Sequence, residues 1–341
     1  MWIRLRLPQA IRASIPCSLL LGLLLCCLDS AARAQSIESN TATHPGGGLL
    51  GENPFKAPPR TEAEKKRDED DWTIKISNAP KYADAGWSYI YYHTKDPKRF
   101  QKAWGYFEQS ISCDSRYIDA YRGRGLAKML LEQLPEALED FDFVLSKEPG
   151  RERTRSMRAY VRAALAQYGD EVALRAAEQD LDQAGVTERK NPFSRAAQGM
   201  IAATRGDCSG AVAHLSWAIE HGFDTWTCRG TRANAYMHLR DYPRAIADIE
   251  HEIKKHPSWR GPHRSLGACH AEMGKPELAL ADYANELKLD PKNLGVLFER
   301  FSVAIESGKP EASLEDLGRL IARHPNHPYA LASRGLVRWL T

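Results

Sequence analysis

The sequence carries none of the short signatures that mark common enzyme classes. GxSxG, GxxxxGK[ST] and HExxH are absent, and no GxGxxG follows a strand. Nor is there a strand-rich region on which such a site is built. Catalysis is therefore not expected, and no cofactor or metal is implied. Cysteine is scarce beyond the N-terminus: of seven, three precede residue 28, leaving Cys113, Cys208, Cys228 and Cys269. These four form no CxxC and no zinc-ligand spacing, which points to small buried residues. Net charge is lacking too. The formal +3 comes from Arg4, Arg6, Arg12 and Arg33 against Asp29; beyond residue 34, 43 basic residues face 43 acidic ones. A neutral chain has no bulk pull toward nucleic acid or anionic membrane, so neither is an expected partner.

Long hydrophobic runs are also missing. The one apolar stretch, Cys17 to Leu28, is 12 residues long. As a helix it would span only ~18 Å against a hydrocarbon core of roughly 30 Å, which disfavours a membrane anchor. With the arginines before it and Ala32-Arg33-Ala34 after it, residues 1–34 are expected to be an export signal cleaved before Gln35. The mature chain would have no membrane span and would be periplasmic or secreted. Residues 35–71 combine Gly46-Gly47-Gly48, Ala57-Pro58-Pro59-Arg60 and a charged run from Glu62 to Asp71. Such a segment buries too little apolar surface to offset its ordering entropy, so a disordered spacer is expected, followed by a lead-in segment over 72–83.

What the chain does contain is a period. Blocks of 34 residues start at Asp84, Ile118, Glu152, Pro192, Trp226, Arg260, Leu294 and Pro328, with six extra residues in the third. Position 20 is Ala103, Ala137, Ala211, Ala245, Ala279 and Ser313; position 32 is Pro149, Pro257, Pro291 and Pro325. Small residues recur at position 8 (Gly125, Ala159, Gly199, Ala233, Gly267) and bulky ones at position 24 (Phe107, Phe141, Leu215, Ile249, Tyr283, Leu317). Each block reads as two helices of about a dozen residues. Gly274 ends one because its cap favours positive φ, and Pro276 opens the next, where its missing N–H costs nothing. A small residue at position 20 lets the two helices cross closely, and a larger one would force them apart.

A bulky residue at 4, large-then-small at 7 and 8, an aromatic at 11, small at 20, an aromatic at 24 and proline at 32 together resemble the tetratricopeptide repeat. Leu266-Gly267 and Ala235-Tyr236 follow it closely. The resemblance covers about residues 84–341. It implies an all-α fold, a right-handed α-solenoid of about seven helical hairpins plus a final helix from the partial block at 328. There are departures. Block three has Arg155 and Arg158 at positions 4 and 7, and block four lacks the closing proline.

In this family positions 2, 5, 9, 12 and 13 of the first helix line a concave groove. Carried over, the resemblance implies binding roles for Tyr92 and Lys95 in block one, and for Arg122 and Met129 in block two. Arg153, Tyr160, Phe193 and Met200 follow in blocks three and four, and Asn234, Met237, His238, Arg264 and Phe298 in the rest. Arginines mixed with Tyr, Phe and Met suit a peptide carrying a carboxylate and apolar anchors, with Arg122, Arg153 and Arg264 as the carboxylate forks. His263 and His270 lie seven apart at positions 4 and 11, where the family buries aromatics, so they are expected in the core rather than on a metal. The expectation is a non-catalytic scaffold of the cell envelope that binds a protein or peptide segment in its groove. A second alternative is a self-assembling homo-oligomer that stacks through Trp339-Leu340. A remote third is an enzyme site around the 168–191 insertion, using Asp170, Glu171, Asp180 or Asp182.

Overall fold

The computed structural model describes residues 62–93, 95–185 and 191–340, and among these the regular structure is all helical. The helices are α1 (Glu62–Tyr91), α2 (Arg99–Cys113), α3 (Ile118–Leu130), α4 (Leu134–Lys147), α5 (Glu152–Leu165), α6 (Glu171–Gln183), α7 (Pro192–Thr204) and α8 (Cys208–Glu220). They continue with α9 (Trp226–His238), α10 (Tyr242–Lys255), α11 (Pro262–Glu272), α12 (Pro276–Leu289), α13 (Leu294–Glu306), α14 (Leu314–Arg323) and α15 (Pro328–Leu340). Short 3-10 turns lie at Ala166–Tyr168 and Pro310–Ser313. One compact unit is Lys56–Asp248, and another takes in Ile249–Thr341. In the first, α1 packs on α2, α3 on α4, α5 on α6 and α7 on α8, and each hairpin packs on its neighbour. In the second, α11 packs on α12, α12 on α13, and α14 on α15. This is the helical-hairpin architecture of the α-solenoid class.

The periodic residues are the packing residues. Ala103, Ala137, Ala211 and Ala279 are fully buried, and Ser313 nearly so. At position 8 the absence of a side chain is a steric requirement. A Cβ on Gly125 would lie 2.7 Å from Phe141, on Gly199 2.6 Å from Leu215, and on Gly267 2.8 Å from Tyr283. The small residue at 8 is therefore the seat of the bulky one at 24. The hairpin turns take left-handed backbone at Gly274 and Gly308, with φ of 69° and 70°. Glu132 and Arg240 adopt the same conformation without being glycine, at φ 61°, which costs ~1–2 kcal/mol.

The arginine at position 7 of block three, taken from the sequence as a departure, is instead part of a recurring ion pair. Arg124 grips Asp140 at 2.6 Å, Arg158 grips Asp180 at 2.6 Å, and Arg232 grips Asp248 at 2.6 Å. In the second unit Arg300 pairs with Asp316. Each joins position 7 of a first helix to position 23 of the second. Partners are 16 residues apart for Arg124 and Arg232 but 22 for Arg158, which locates the six extra residues between α5 and Asp180. They are taken up by the 3-10 turn, by Gly169 at φ 96°, and by Asp170, whose carboxylate caps α6. In the first unit each of these guanidiniums also reaches back one repeat: Arg124 to Glu108 at 3.0 Å, Arg158 to Asp142 at 2.8 Å, and Arg232 to the Ser216 hydroxyl at 3.0 Å. The aspartates are nearly buried, with side-chain exposures of 3–5% in the first unit. Block six places a histidine one turn later in this role, His270 with Asp282 at 2.7 Å.

The N-terminal end differs from the expectation. The spacer ends earlier than residue 71, because α1 runs unbroken for 30 residues from Glu62. Residues 1–61, on which the expected leader and the rest of the expected spacer fall, lie outside the described residues. Glu, Ala, Lys and Arg are strong helix formers, and here they extend a helix whose later turns are already packed through Ala79, Ala83 and Ile90. The helix passes through Pro80, beside which the Ser110 hydroxyl donates to the Ala79 carbonyl at 2.7 Å.

Two predictions follow from this packing. Gly125→Ala forces a Cβ against Phe141 and lowers stability by ~1–3 kcal/mol, whereas Gly105→Ala, with nothing within 4 Å, raises it by ~0.5–1 kcal/mol. Urea midpoints followed by circular dichroism measure both, and equal midpoints would refute the steric account. Asp180→Ala costs ~3 kcal/mol, the low end for an orphaned buried charge because Asp142 still holds both Arg158 and Arg162. Arg175→Ala, in an exposed pair with Glu171, costs at most ~1 kcal/mol on the same assay.

Candidate functional site

The surface end of block one is built from rings spaced along α1. Residues four apart share a helix face, and Trp87 stacks on Tyr91 at 5.9 Å while Tyr89 stacks on His93 at 4.2 Å. Tyr89 is sandwiched further by Tyr106 at 5.4 Å, and the Lys102 ammonium sits 5.5 Å over its ring. Lys102 is fixed in turn by Asp96 at 2.7 Å. Tyr91 and Tyr92 stand out from this base, 52% and 81% exposed. Tyr92, His93, Lys95 and Asp96 line a shallow hollow, and Lys95 is exposed.

Below the rings lies a charged hub centred on Asp119. It accepts hydrogen bonds from the Trp87 indole at 3.0 Å and from Arg151 at 3.2 Å, and pairs with Arg122 at 2.8 Å. The Arg122 guanidinium also lies 4.9 Å over the Trp87 ring. Arg122, expected to take a ligand carboxylate, thus already holds one from its own helix. Arg264 is likewise engaged, donating three hydrogen bonds to Glu299 at 2.5, 3.0 and 3.1 Å, and this hydrogen bonding raises its already high pKa. Arg153 differs. It is exposed, lies 5.7 Å over the Phe193 ring, and has no carboxylate partner among the described residues. Asn234 and His238 are exposed on α9 and Met237 is half-buried, while Phe298 is half-buried against Tyr329 at 5.5 Å.

The other expected groove residues are core. Met129, Tyr160 and Met200 are fully buried, and Phe193 is 9% exposed. Around Tyr160 of α5 and Phe193 of α7 the inner face is covered, within the first unit, by the segment leading into α9. Phe223 occupies position 32, where four other blocks have proline, and its ring packs edge-on against Tyr160 at 4.8 Å and Phe193 at 5.0 Å. The Tyr160 hydroxyl bonds Thr225 at 3.0 Å, and burial pushes its pKa well up. Gln167 donates to Thr231 at 2.8 Å. The Glu132 carboxylate accepts from the Thr227 hydroxyl at 2.5 Å, 95 residues away, and from the Thr227 N–H at 3.4 Å at the start of α9. A carboxylate there complements the helix dipole. The missing proline of block four was the sequence signal for Phe223; nothing in the repeat register marks Glu132 or Thr227.

Other candidate chemistry is absorbed by structure. Asp170 caps α6, Glu171 pairs with Arg175 and Arg205, and Asp180 holds Arg158 and Arg162. The four cysteines among the described residues, Cys113, Cys208, Cys228 and Cys269, are free thiols, and burial pushes Cys228 up to about 12. Among the described residues no group of three or more His, Cys, Asp or Glu side chains is placed to hold a metal.

Comparison with known proteins agrees with this geometry. A tetratricopeptide repeat family model matches residues 231–293. A tetratricopeptide repeat and J domain-containing co-chaperone, DNJ1, from Fusarium oxysporum f. sp. lycopersici is 26% identical over 171 residues, 48% of this chain and 32% of its own length. The chain thus spans about a third of that curated relative. Among solved structures, the Cut9–Hcn1 hetero-tetramer of the APC/C aligns over 71% of this chain and 45% of its own, at 14% identity and a TM-score of 0.50. A human IFIT1 dimer with m7Gppp-AAAA aligns over 77% and 68%, at 13% identity and a TM-score of 0.50. At such identities the likeness is one of fold. The repeat register, the seating of position 24 on position 8 and the family-model match over residues 231–293 converge on the tetratricopeptide repeat, whose helical-hairpin fold the described residues share.

Proposed function

We propose that this protein is a non-catalytic, exported scaffold that holds a segment of another protein, and that the segment docks on the exposed aromatic end of block one. The observation that carries this is the pair Tyr91 and Tyr92, held out in water on a rigid, stacked base. Amphipathic rings immobilised at a surface give up little conformational entropy on binding, which is why they dominate binding hot spots. Lys95 beside them, and Arg153, which has no carboxylate partner among the described residues, fit a partner segment that carries carboxylates between apolar side chains. The co-chaperone named among the relatives is consistent with a role in holding other proteins. Export rests on the N-terminal leader, and a Gram-negative cell would place the protein in the periplasm. The inner face of blocks two to five is not part of this surface.

Site-specific crosslinking tests the docking surface. A photoreactive phenylalanine analogue at Tyr92, expressed in the native cell, is expected to capture a discrete partner identifiable by mass spectrometry. The same analogue at Val172, 80% exposed on α6, is expected to capture none. With that partner in hand, Tyr92→Ala and Arg153→Ala each weaken binding about tenfold, equivalent to ~1.4 kcal/mol. Equal capture at both positions would overturn the assignment. The leader is tested separately: N-terminal sequencing of protein from the envelope fraction should begin at Gln35, and an intact Met1 would refute cleavage.

A further inference from the structure

The second unit has a cleft of about 220 Å³ at the edge of block seven, between the turn from α12 into α13 and the turn from α14 into α15. Its floor is apolar, made by Pro291, Leu294 and Leu320, with Leu294 43% exposed. Its rim is Lys292, Arg323, His324 and His327, and none of the described residues lining it is acidic. Lys292, Arg323 and His324 are exposed and have no acidic partner among the described residues. His327 accepts the Ala330 N–H on Nδ1 at 3.3 Å, which leaves Nε2 as its N–H donor.

The matching edges of other blocks supply carboxylates of their own. Position 31 is acidic in blocks one, two and six, and each acid holds an arginine: Asp114 with Arg116 at 3.3 Å, Glu148 with Arg151, and Asp290 with Arg260 at 3.9 Å. Block six adds a second carboxylate at position 27, where Glu286 accepts the N–H groups of Gly261 at 2.6 Å and Arg264 at 3.3 Å. In block seven positions 31 and 27 are His324 and Leu320. Basic groups are present there and both acids are replaced, which leaves donors around an apolar floor. A following repeat does not close this edge, because position 1 is exposed at Trp226 in block five and at Arg260 in block six, as it is at Leu294.

We propose that this cleft binds a carboxylate carried on a leucine-sized aliphatic group. Lys292 and Arg323 meet the carboxylate as Arg260 meets Asp290 in block six, by charge-assisted contact, and His327 adds a further donor. The aliphatic group covers Leu294, Leu320 and Pro291, and removing that apolar surface from water favours the complex. Pockets for drug-sized ligands run roughly 300–1,000 Å³, so this one suits a smaller molecule or the last residue of a chain. A free short-chain acid and a polypeptide ending in leucine share this chemistry. The site belongs to the second unit and is independent of the docking surface on block one.

The test follows the backbone amide and histidine NMR signals of the full chain from Gln35 to Thr341 as isocaproate is added. Saturable shifts confined to the two turns are expected, with a Kd on the order of 1 mM. Isocaproamide, which lacks the charge, and acetate, which lacks the aliphatic group, should each bind about tenfold more weakly. Arg323→Ala should weaken isocaproate binding by a similar factor, and Lys254→Ala, at an exposed lysine of α10, should leave it unchanged. His324→Asp should abolish binding, because it restores the acid that block six has, with signals elsewhere in the unit unmoved to show that the fold is kept. N-acetyl-alanyl-leucine separates the two sources: binding about tenfold tighter than isocaproate assigns the site to a chain end, and equal or weaker binding assigns it to a free acid. No saturable shift, equal affinity for isocaproate and its amide or acetate, or binding indifferent to Arg323→Ala and His324→Asp overturns the proposal.

Discussion

A guanidinium on the first helix of a hairpin, held by a nearly buried aspartate on the second, fixes the register of the array. Apolar packing alone leaves two short helices free to slide by a turn, because one leucine or alanine substitutes for another along a ridge. An arginine fork that must meet one carboxylate removes that freedom. The pair recurs in blocks two, three, five and seven, and in three of them the same guanidinium also reaches the second helix of the preceding repeat. One side chain thereby joins three helices. Such a buried pair is a weak source of net stability, since desolvation offsets much of its attraction, but a strong source of specificity when losing either partner strands a charge.

The sequence made the architecture legible because its period is set by sterics that tolerate few substitutions. A glycine or alanine at position 8 and an alanine at position 20 can be counted without coordinates. The arginine at position 7 could have been counted in the same way. It was hidden because the family pattern puts a large apolar residue there, so Arg158 looked like decay of the motif rather than a second motif laid over it. The six-residue insertion helped to conceal it, stretching the separation from its aspartate from 16 residues to 22. The charged start of α1 was misread for another reason. Composition describes what a segment does alone, and those turns are not alone but continue a helix anchored further along by Ala79 and Ala83.

The binding surface was less legible than the fold. Groove positions carried over from the family assume that successive first helices leave an open inner face. Here Phe223, in place of a closing proline, packs on Tyr160 and Phe193, and Met129, Tyr160 and Met200 lie in the same buried cluster. Two of the three expected carboxylate forks are occupied by Asp119 and Glu299, acids of this same chain. Their partners sit three and 35 residues away, offsets that the family pattern does not mark. What remains accessible lies where the repeat rules lapse, at the exposed tyrosines of block one and at the edge of block seven.

The contact between Glu132 and Thr227 changes how this array comes apart. In a simple stack every repeat meets only its neighbours, so unfolding proceeds from the ends as a series of nearly independent steps. A hydrogen bond spanning 95 residues ties the turn of block two to the start of block five, with Tyr160 and Thr225 closing the space between. Blocks three and four are then enclosed by a loop whose entropy has been lost once, in the folded state, and fraying at either end stops where that loop begins. The first unit therefore has a cooperative centre with looser margins, a chain of springs with its middle links soldered.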